Sequence, residues 1–441
     1  MRNLPEKVIK YLSKHLLPDW KLEYNAPPKI ESIVVIPALS EYNGILALLE
    51  SLLENDNKYF SSTLFIFVVN DTVQSGKEIK EDNQRSIELI RNIINNEPGS
   101  EFTRKVIYSG LNLGLIDAAS KGSEFPEKDA GAGFARKVGM DQALTAFDYS
   151  SNRKKILISL DADCTVKKNY LTSIIDNFNR RNLSAAIIKL EHRILDAETT
   201  AAIICYEIFL RYYVLGLKMA NSPFAFPTVG STMVFDYETY IRAGGMNKRK
   251  AGEDFYFLQK IAKRSKIEEI KSTSVFPSSR ISWRVPYGTG PRIKRFISKI
   301  QNEYLLYAPR SFVILKNWLE EFNKPEVLSS QEFLETAKKI HPALHQFLVL
   351  NNFESSWNKI INNSKSLPQI EKQKLDWFDG FRTLKLIHYL RDHNFPLVDM
   401  FDALDYMLSF FDCKPGITRE AGEIPRISEQ KVYLNILRKL T

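Results

Sequence analysis

The sequence is poor in cysteine and lacks the marks of several specialised protein classes. Its three cysteines, Cys164, Cys205 and Cys413, have no paired spacing. A disulfide framework or a zinc ribbon is therefore excluded, and the sequence fits a reducing compartment. The first 20 residues are charged and interrupted by Pro5 and Pro18, so they lack the apolar core of a signal peptide. These absences predict a cytoplasmic protein.

No long apolar run is free of charge. The most apolar stretch, residues 201–220, contains Glu207, Arg211 and Lys218, which are costly inside a membrane span. Glu207 and Arg211 are four residues apart, the spacing of an ion pair on a helix surface. Apolar residues recur here at helical intervals, so we expect a half-buried amphipathic helix. Peripheral association with a membrane stays open as an alternative.

Composition indicates a folded chain and leaves its partner open. Hydrophobic residues make up 44% of the 441 residues and aromatic residues 12%, which is typical of globular proteins with two or three domains. The net charge of +9 suits phosphate ligands, an anionic membrane or nucleic acid and does not choose among them. The basic residues are dispersed and form no recognised nucleic-acid module, so we expect no nucleic-acid partner. The sequence does not predict an oligomeric state.

Strand-like and helix-like patterns alternate in the first half of the chain. This alternation predicts an α/β fold, with a mixed, mostly parallel sheet flanked by helices. Beyond about residue 292 glycine nearly vanishes and helical spacing dominates, which predicts an all-helical C-terminal region. We therefore expect an N-terminal helical segment (1–30), a sheet domain (31–291) and a helical domain (292–441). The predicted strands are 32–37, 63–69, 105–108, 156–161, 185–190, 230–236 and 267–276.

Two carboxylates separated by one residue follow a strand-like run. Residues 156–160 (ILISL) are apolar apart from one serine, and Asp161 and Asp163 come directly after them. In open α/β sheets ligands bind at the carboxyl ends of the strands. Paired carboxylates suit a hard divalent cation, which in turn can hold a diphosphate. The alternative, a capping pair for the helix predicted from residue 169, is disfavoured because the two sites are several residues apart.

Four further motifs carry candidate site residues, and the first two share this arrangement of strand end followed by polar residues. Residues 34–41 (VVIPALSE) are a strand that breaks at Pro37 into a turn with Glu41. Residues 67–71 (FVVND) end in Asp71, and residues 131–141 (GAGFARKVGMD) open a helix with Gly133 and Arg136. The fourth motif, residues 244–254 (GGMNKRKAGED), ends in Glu253 and Asp254.

Together and in this order, the motifs resemble those of the GT-A glycosyltransferases, in particular the inverting enzymes of family 2. The resemblance covers roughly residues 31–290. It implies a GT-A (Rossmann-like) fold and transfer of a sugar from a nucleotide-diphospho-sugar, with UDP-sugars favoured, to the hydroxyl of a glycan or small-molecule acceptor. Such an enzyme acts in glycan or polysaccharide biosynthesis and uses Mn²⁺ or Mg²⁺.

The resemblance also implies residue roles on the donor side. Pro37 and Glu41 would meet the nucleoside, and Asp71 would accept a hydrogen bond from the base. Asp163 would bind the metal, and Asp161 would contact the ribose or the metal. For Asp71 a simple turn aspartate is the alternative.

Gly133 and Arg136 would contact the donor where a helix begins, since helix-terminal amides and a cation make an anion site. The neighbouring Lys137 is more simply an exposed lysine. On the acceptor side, Asp254 would act as the general base and Glu253 would orient the acceptor. The alternative for this pair is stabilisation of a helix dipole.

The sequence departs from the family pattern in one respect. Many relatives supply a histidine as a further metal ligand on or after the last strand, and no histidine lies between His192 and His341. Arg280 and Arg284 stand there instead and could clamp the diphosphate. The chain also lacks the Gln-x-x-Arg-Trp motif and the spans of processive synthases, which favours transfer of a single sugar.

Two other functions stay open. A sugar-phosphate nucleotidyltransferase also uses an open sheet and a divalent metal, but residues 37–43 contain neither glycine nor arginine, which counts against its phosphate loop. A catalytically weak GT-A-like protein that only binds nucleotide or glycan is the non-enzymatic alternative. Such a protein would show no donor hydrolysis with manganese present.

Overall fold

The computed structural model describes residues 4–25, 29–194, 197–278, 280 and 289–441. The chain forms two compact units, residues 1–193 with 228–280, and residues 194–227 with 281–441. These units divide the chain differently from the three expected segments. The N-terminal segment lies within the first unit, and residues 194–227 lie within the second.

The first unit is built on a nine-stranded mixed sheet in the order β1-β4-β3-β2-β5-β8-β7-β9-β6. Strands β2, β3, β4 and β5 are parallel neighbours, and most of the paired residues in the sheet are in parallel register. The expected mixed, mostly parallel sheet flanked by helices is therefore confirmed. The strands are β1 (Leu22–Tyr24), β2 (Ser32–Ala38), β3 (Thr63–Asn70), β4 (Asn112–Ala118), β5 (Ile156–Ser159), β6 (Thr165–Val166), β7 (Ala185–Leu190), β8 (Met233–Asp236) and β9 (Ile267–Phe276).

Helices cover both faces of this sheet, so its central strands are buried. Every residue of β3 is buried, as the continuous apolar run of a parallel strand requires. The helices of the unit are α1 (Glu6–His15), α2 (Tyr42–Leu53), α3 (Lys77–Ile94), α4 (Glu101–Tyr108), α5 (Ala132–Ala146), α6 (Tyr170–Arg181), α8 (Tyr237–Arg242) and α9 (Glu253–Ala262). Short 3-10 turns at Asn57–Ser62 and Gly230–Thr232 precede β3 and β8.

Helix α5 lies very close to the sheet at Gly139. A Cβ at this position would lie 2.8 Å from Val68 Cγ2 and would also collide with Val35, so only glycine fits. This close approach fixes the N-terminal turns of α5 near the carboxyl ends of β2, β3 and β5. The residues predicted to bind the donor occupy those ends.

One predicted strand is wrong. Residues 105–108 are the last half of helix α4, and the third parallel strand is β4, at Asn112–Ala118. The helix begins at Ser100, whose hydroxyl accepts a hydrogen bond from Thr103 N at 3.1 Å in a capping box. This local start signal outweighs the strand preference of Val106 and Ile107.

The second unit is helical, as predicted for the C-terminal region. Its helices are α7 (Ala197–Met219), α10 (Thr289–Ile297), α11 (Pro309–Phe322), α12 (Ser330–Ile340), α13 (Pro342–Leu350), α14 (Phe353–Asn363), α15 (Leu367–Trp377), α16 (Gly380–His393), α17 (Met400–Ser409) and α18 (Ile427–Leu440). Two-residue strands, β10 (Leu305–Leu306) and β11 (Val398–Asp399), pair antiparallel. Aromatic rings fill the core, among them Trp318, Phe322 and Trp357.

Helix α7 is the core helix of the second unit. Within the described residues, Thr199–Met219 is the one segment long and apolar enough to cross a membrane, and 72% of its most apolar window is buried. The predicted pair of Glu207 and Arg211 forms at 2.8 Å, yet it is buried rather than on the surface. Arg438 of α18 adds a second ion pair to Glu207 at 2.7 Å. These two cations compensate for the burial of the carboxylate.

Candidate active site

The turn after β2 carries Glu41 into the site. Pro37 pairs in register with Val68 near the end of the strand, and Ser40 adopts a left-handed conformation with φ of 53°. The turn places the buried Glu41 against Arg280, with which it forms an ion pair. Two predicted donor-binding residues from distant parts of the chain therefore meet here.

Helix α2 begins directly against the Asp161–Asp163 segment. A Cβ at Gly44 would lie 2.6 Å from Glu41 Oε2, 2.8 Å from Ala162 O and 3.3 Å from Asp163 Cα. Only glycine lets the first turn of α2 approach the acidic segment this closely. The motif after β2 and the motif after β5 consequently share one edge of the sheet.

Asp71 is buried at the end of β3 and held by an asparagine. Asn83 Nδ2 donates a hydrogen bond to Asp71 Oδ2 at 3.2 Å, and Ser40 N donates to Asn83 Oδ1 at 2.8 Å. The other carboxylate oxygen, Oδ1, has no hydrogen-bond partner among the described residues. Burial raises the pKa of Asp71 to about 6, with Asn83 opposing the shift. Asn83 thus leaves one acceptor oxygen uncommitted for a ligand.

Asp161, Asp163 and Cys164 form a compact acidic cluster. One ligand atom from each lies within 4.8 Å of the others. Burial raises the pKa of the Cys164 thiol well above its ordinary value, so the thiol stays protonated, and its Sγ lies 3.7 Å from Asp163 Oδ1. Since a neutral thiol is a poor ligand and carboxylates are hard ones, the two aspartates fit Mn²⁺ or Mg²⁺ and Cys164 does not.

Arg136 is a buried cation that joins two of the motifs. It lies in the first turns of α5 with 3% of its surface exposed, and forms ion pairs with Asp161 and Glu253. Its Nε also donates to Ser159 Oγ at 3.1 Å. Burial disfavours its charge, but the three acidic groups Asp161, Glu253 and Asp254 raise its pKa above the ordinary value.

Two glycines make room for this cluster. A Cβ at Gly230 would collide with the guanidinium group of Arg136, and a Cβ at Gly133 would lie 2.8 Å from Cβ of Glu253. Gly133 therefore allows α5 and α9 to approach at their N-terminal turns. The sequence predicted Gly133 as a ligand contact, whereas here it contacts Glu253 and the backbone of Arg249.

Asp254 is the predicted carboxylate whose pKa is shifted furthest from its ordinary value. It lies in the first turn of α9 after the left-handed Gly252, and accepts a hydrogen bond from Phe255 N at 2.7 Å. Burial and the negative charge of Glu253 raise its pKa to about 7, although Arg136 opposes the shift. A carboxylate with a pKa near the working pH suits general base catalysis.

The structure brings the described candidates together in one unit. Contacts run without a break from Arg280 to Glu41, through Gly44 to the Asp161–Asp163 segment, and through Arg136 to Glu253. Arg284 lies outside the described residues. Lys137, by contrast, is committed elsewhere, because its ammonium group forms a buried ion pair with Asp141 at 2.6 Å. It is not an exposed lysine.

Four site residues escaped the sequence analysis: Gly44, Asn83, Ser159 and Gly230. Ser159 gave a weak signal, since it is the one polar residue in an otherwise apolar run, whereas Asn83 gave none, because it stands among polar residues in the sequence. The two glycines gave none, because their role depends on contacts with Asp163 and Arg136 from distant parts of the chain.

Comparison with known proteins adds no family assignment. No family model matches the chain, and no curated protein matches it. Among solved structures it is similar to S. aureus TarS 1-349, at 12% identity and a TM-score of 0.37 over 82% of this chain and 92% of that one. It is also similar to the mannosyltransferase PcManGT from Pyrobaculum calidifontis in complex with GDP-Man and Mn2+, at 13% identity and a TM-score of 0.38 over 98% of this chain and 92% of that one. At these TM-scores the likeness carries no argument about this chain.

We expect Asp254→Asn to stabilise the protein above neutral pH. The pKa of Asp254 is raised, so between pH 3.8 and about 7 the folded protein keeps a proton that the unfolded chain has lost. The native Asp254 therefore lowers the free energy of unfolding as pH rises through this range. Asparagine removes this penalty. Thermal unfolding should show a higher midpoint for the variant at pH 8, and the gain should vanish near pH 4.

Glu101→Gln is the matched control, since Glu101 also lies in the first turn of a helix. Its pKa is lowered by a hydrogen bond from Lys105, so the native residue stabilises the fold above its unfolded pKa and the effect is lost as pH falls. This variant should therefore lose a little stability at pH 8. A gain for Asp254→Asn that is equal at pH 4 and pH 8 would contradict the account.

Proposed function

We propose that this protein is an inverting glycosyltransferase with a GT-A fold. It transfers one sugar from a nucleotide-diphospho-sugar, with UDP-sugars favoured, to an acceptor hydroxyl in glycan or polysaccharide biosynthesis. The observation that carries the proposal is the buried Arg136, which joins Asp161 of the strand-end pair to Glu253, the neighbour of Asp254. Arg136 thereby links the segment proposed to bind the metal to the helix turn that carries Asp254, whose pKa is raised to about 7.

The donor side is assigned to the ends of β2, β3 and β5. Asp71 Oδ1 is the acceptor for an N–H of the base, while Pro37 and Glu41 border the nucleoside. Asp163, with Asp161 beside it, would hold Mn²⁺ or Mg²⁺, which when bound neutralises the diphosphate. Asp163 is proposed as the direct ligand, and Asp161, which is paired with Arg136, as a contact to the ribose or the metal.

Asp254 performs the proton transfer. The acceptor oxygen attacks the anomeric carbon as its proton passes to the Asp254 carboxylate. The bond from that carbon to the diphosphate oxygen breaks, and its electron pair leaves with the nucleoside diphosphate. Arg280 offsets the charge of the leaving group, and the sequence offers Arg284, outside the described residues, for the same role. Glu253 orients the acceptor or its neighbours, and its ion pair with Arg136 holds the helix turn that it shares with Asp254.

The proposal is tested by ligand-dependent thermal stabilisation. Wild-type protein is heated with UDP-, GDP- and TDP-sugars, each with and without Mn²⁺. We expect at least one donor to raise the midpoint only when the metal is present, by an amount that grows with ligand concentration above its Kd. In Asp163→Ala the metal-dependent part should disappear, while Asp19→Ala, a change at an exposed aspartate of the same unit, should behave as wild type.

The outcomes separate the alternatives. Metal-dependent stabilisation with no release of nucleoside diphosphate over many hours would indicate a binding protein rather than a transferase. Stabilisation by nucleoside triphosphate and sugar phosphate, with none by nucleotide-sugars, would indicate a nucleotidyltransferase. No stabilisation by any donor would contradict the proposal.

A further inference from the structure

Three consecutive basic residues stand beside the proposed general base. Lys248, Arg249 and Lys250, here named the basic loop, are all exposed and lie in the segment that leads into α9. Lys250 is four residues from Asp254, so the two Cα atoms lie within about 14 Å of each other. A neutral hydroxyl acceptor gives no reason for this charge so close to the proposed base.

A hydrogen bond and a close backbone contact hold the basic loop in place. Asn247 Nδ2 donates a hydrogen bond to Glu253 O at 2.8 Å, which closes the segment at both ends. On the side of α5, a Cβ at Gly131 would lie 3.2 Å from Lys250 Cα, so glycine is needed for the backbones to meet.

The side chains of the basic loop are fixed without carboxylates. Arg249 lies over the ring of Tyr256 at 3.8 Å, and Lys248 lies over Phe134 at 5.1 Å. Lys250 Nζ donates to Glu127 O at 2.7 Å. Within the parts of the chain that the structure describes, none of the three forms an ion pair with an acidic side chain.

Two arginines elsewhere in the same unit are paired with carboxylates. Arg91 pairs with Glu23 and Asp117, and Arg181 pairs with Glu268. The charge of these two arginines is therefore compensated by neighbouring carboxylates. Among the described residues, no acidic side chain forms an ion pair with the basic loop, which ends four residues before Asp254.

We propose that the basic loop binds an anionic acceptor, a glycan or polyol that carries phosphate or carboxylate groups near the reacting hydroxyl. The inference rests on the proposed function and adds the acceptor class to it. Arg249 can hold a phosphate or carboxylate through two parallel hydrogen bonds, and the two lysines add point charges on either side. The anion would be held at the loop while a neighbouring hydroxyl reaches Asp254.

The test compares probes that differ only in charge. Fluorescein-labelled maltooligosaccharides of one length are used in a neutral, a phosphorylated and a carboxylated form, and binding to the full chain is followed by fluorescence anisotropy at low and high salt. We expect the wild type to bind at least one anionic probe about tenfold more tightly than the neutral one at low salt. The phosphorylated and carboxylated arms distinguish the two sources of charge.

The decisive variant is Lys248→Ala/Arg249→Ala/Lys250→Ala. It should lose about tenfold in affinity for the anionic probe. The control is Arg104→Ala/Lys105→Ala/Arg153→Ala, which removes the same charge from exposed positions at the opposite end of the parallel strands. The control should bind the anionic probe within about twofold of wild type, and both variants should keep the wild-type thermal midpoint within about 2 °C.

Calorimetric titration of UDP with Mn²⁺ into the same proteins separates this inference from the proposed function. We expect equal UDP affinity in all three proteins. If the basic-loop variant lost UDP affinity, the loop would belong to the donor side and the inference would be wrong. Equal binding of neutral and anionic probes, or tighter binding of a single-stranded RNA probe through the loop, would also overturn it. If UDP did not bind to the wild type at all, the proposed function would fail independently.

Discussion

Asp254→Asn is expected to lower kcat by roughly 10²–10⁴-fold and to leave donor affinity within about twofold, because it removes a proton acceptor and no donor contact. Asparagine has nearly the same shape and can still accept the hydrogen bond from Phe255 N. The measurement is release of nucleoside diphosphate, with donor affinity determined separately by calorimetry.

The pH profile gives this prediction a second readout. Because Asp254 must be ionised to take a proton and its pKa is about 7, wild-type kcat should fall about tenfold per pH unit below neutrality. In Asp254→Asn this acidic limb should be absent. Glu101→Gln, which alters the first turn of another helix, should retain the full rate and the full limb. Normal turnover by Asp254→Asn would mean that the base is another residue.

Arg136→Met should have the largest effect on stability. The change leaves Asp161 and Glu253 next to each other without their shared cation, and breaking a buried ion pair from one side costs about 3–5 kcal/mol. Amide hydrogen exchange in α5 and α9 measures this loss of stability in the first unit separately from the second. We expect faster exchange in both helices and no detectable donor binding.

Arg211→Met provides a matched comparison for Arg136→Met. Arg211 is likewise buried and paired with a buried glutamate, but Glu207 keeps a second cation, Arg438. The loss of Arg211 should therefore lower the free energy of unfolding clearly less than the loss of Arg136. Arg136→Lys should recover part of the stability but not the activity, since an ammonium group cannot span two carboxylates as a guanidinium does. Unchanged exchange in α5 and α9 of Arg136→Met would show that the arginine does not organise the site.

Much of the sheet was predictable from the sequence because its strands are buried on both faces. A strand buried on both faces needs a continuous apolar run, and β2, β3 and β5 have such runs. Polar residues follow each run, where the strand ends and its burial ends with it. The prediction failed where local signals conflicted. Gly114, a residue type that weakens strands, lies inside β4, where a Cβ would lie 3.0 Å from Leu22 Cδ1 of the edge strand β1.

The internal geometry of the site was less predictable, because it depends on partners far apart in the chain. Arg136 was expected to contact the donor, which stays a prediction. Its ion-pair partner Glu253 is 117 residues away, and no local pattern indicates that contact. Lys137 did have a local signal, since Asp141 follows four residues later, the spacing of a helical ion pair. The roles of these residues toward a ligand stay predictions.

The most direct test of the account is to locate manganese and nucleotide in crystals soaked with UDP and Mn²⁺. Anomalous scattering near the manganese edge identifies the metal without reference to the rest of the map. We predict one peak about 2.2 Å from an Asp163 carboxylate oxygen, in contact with the diphosphate, and the base beside Asp71. Nucleotide bound away from Asp163, or a metal peak at another cluster with this one empty, would contradict it.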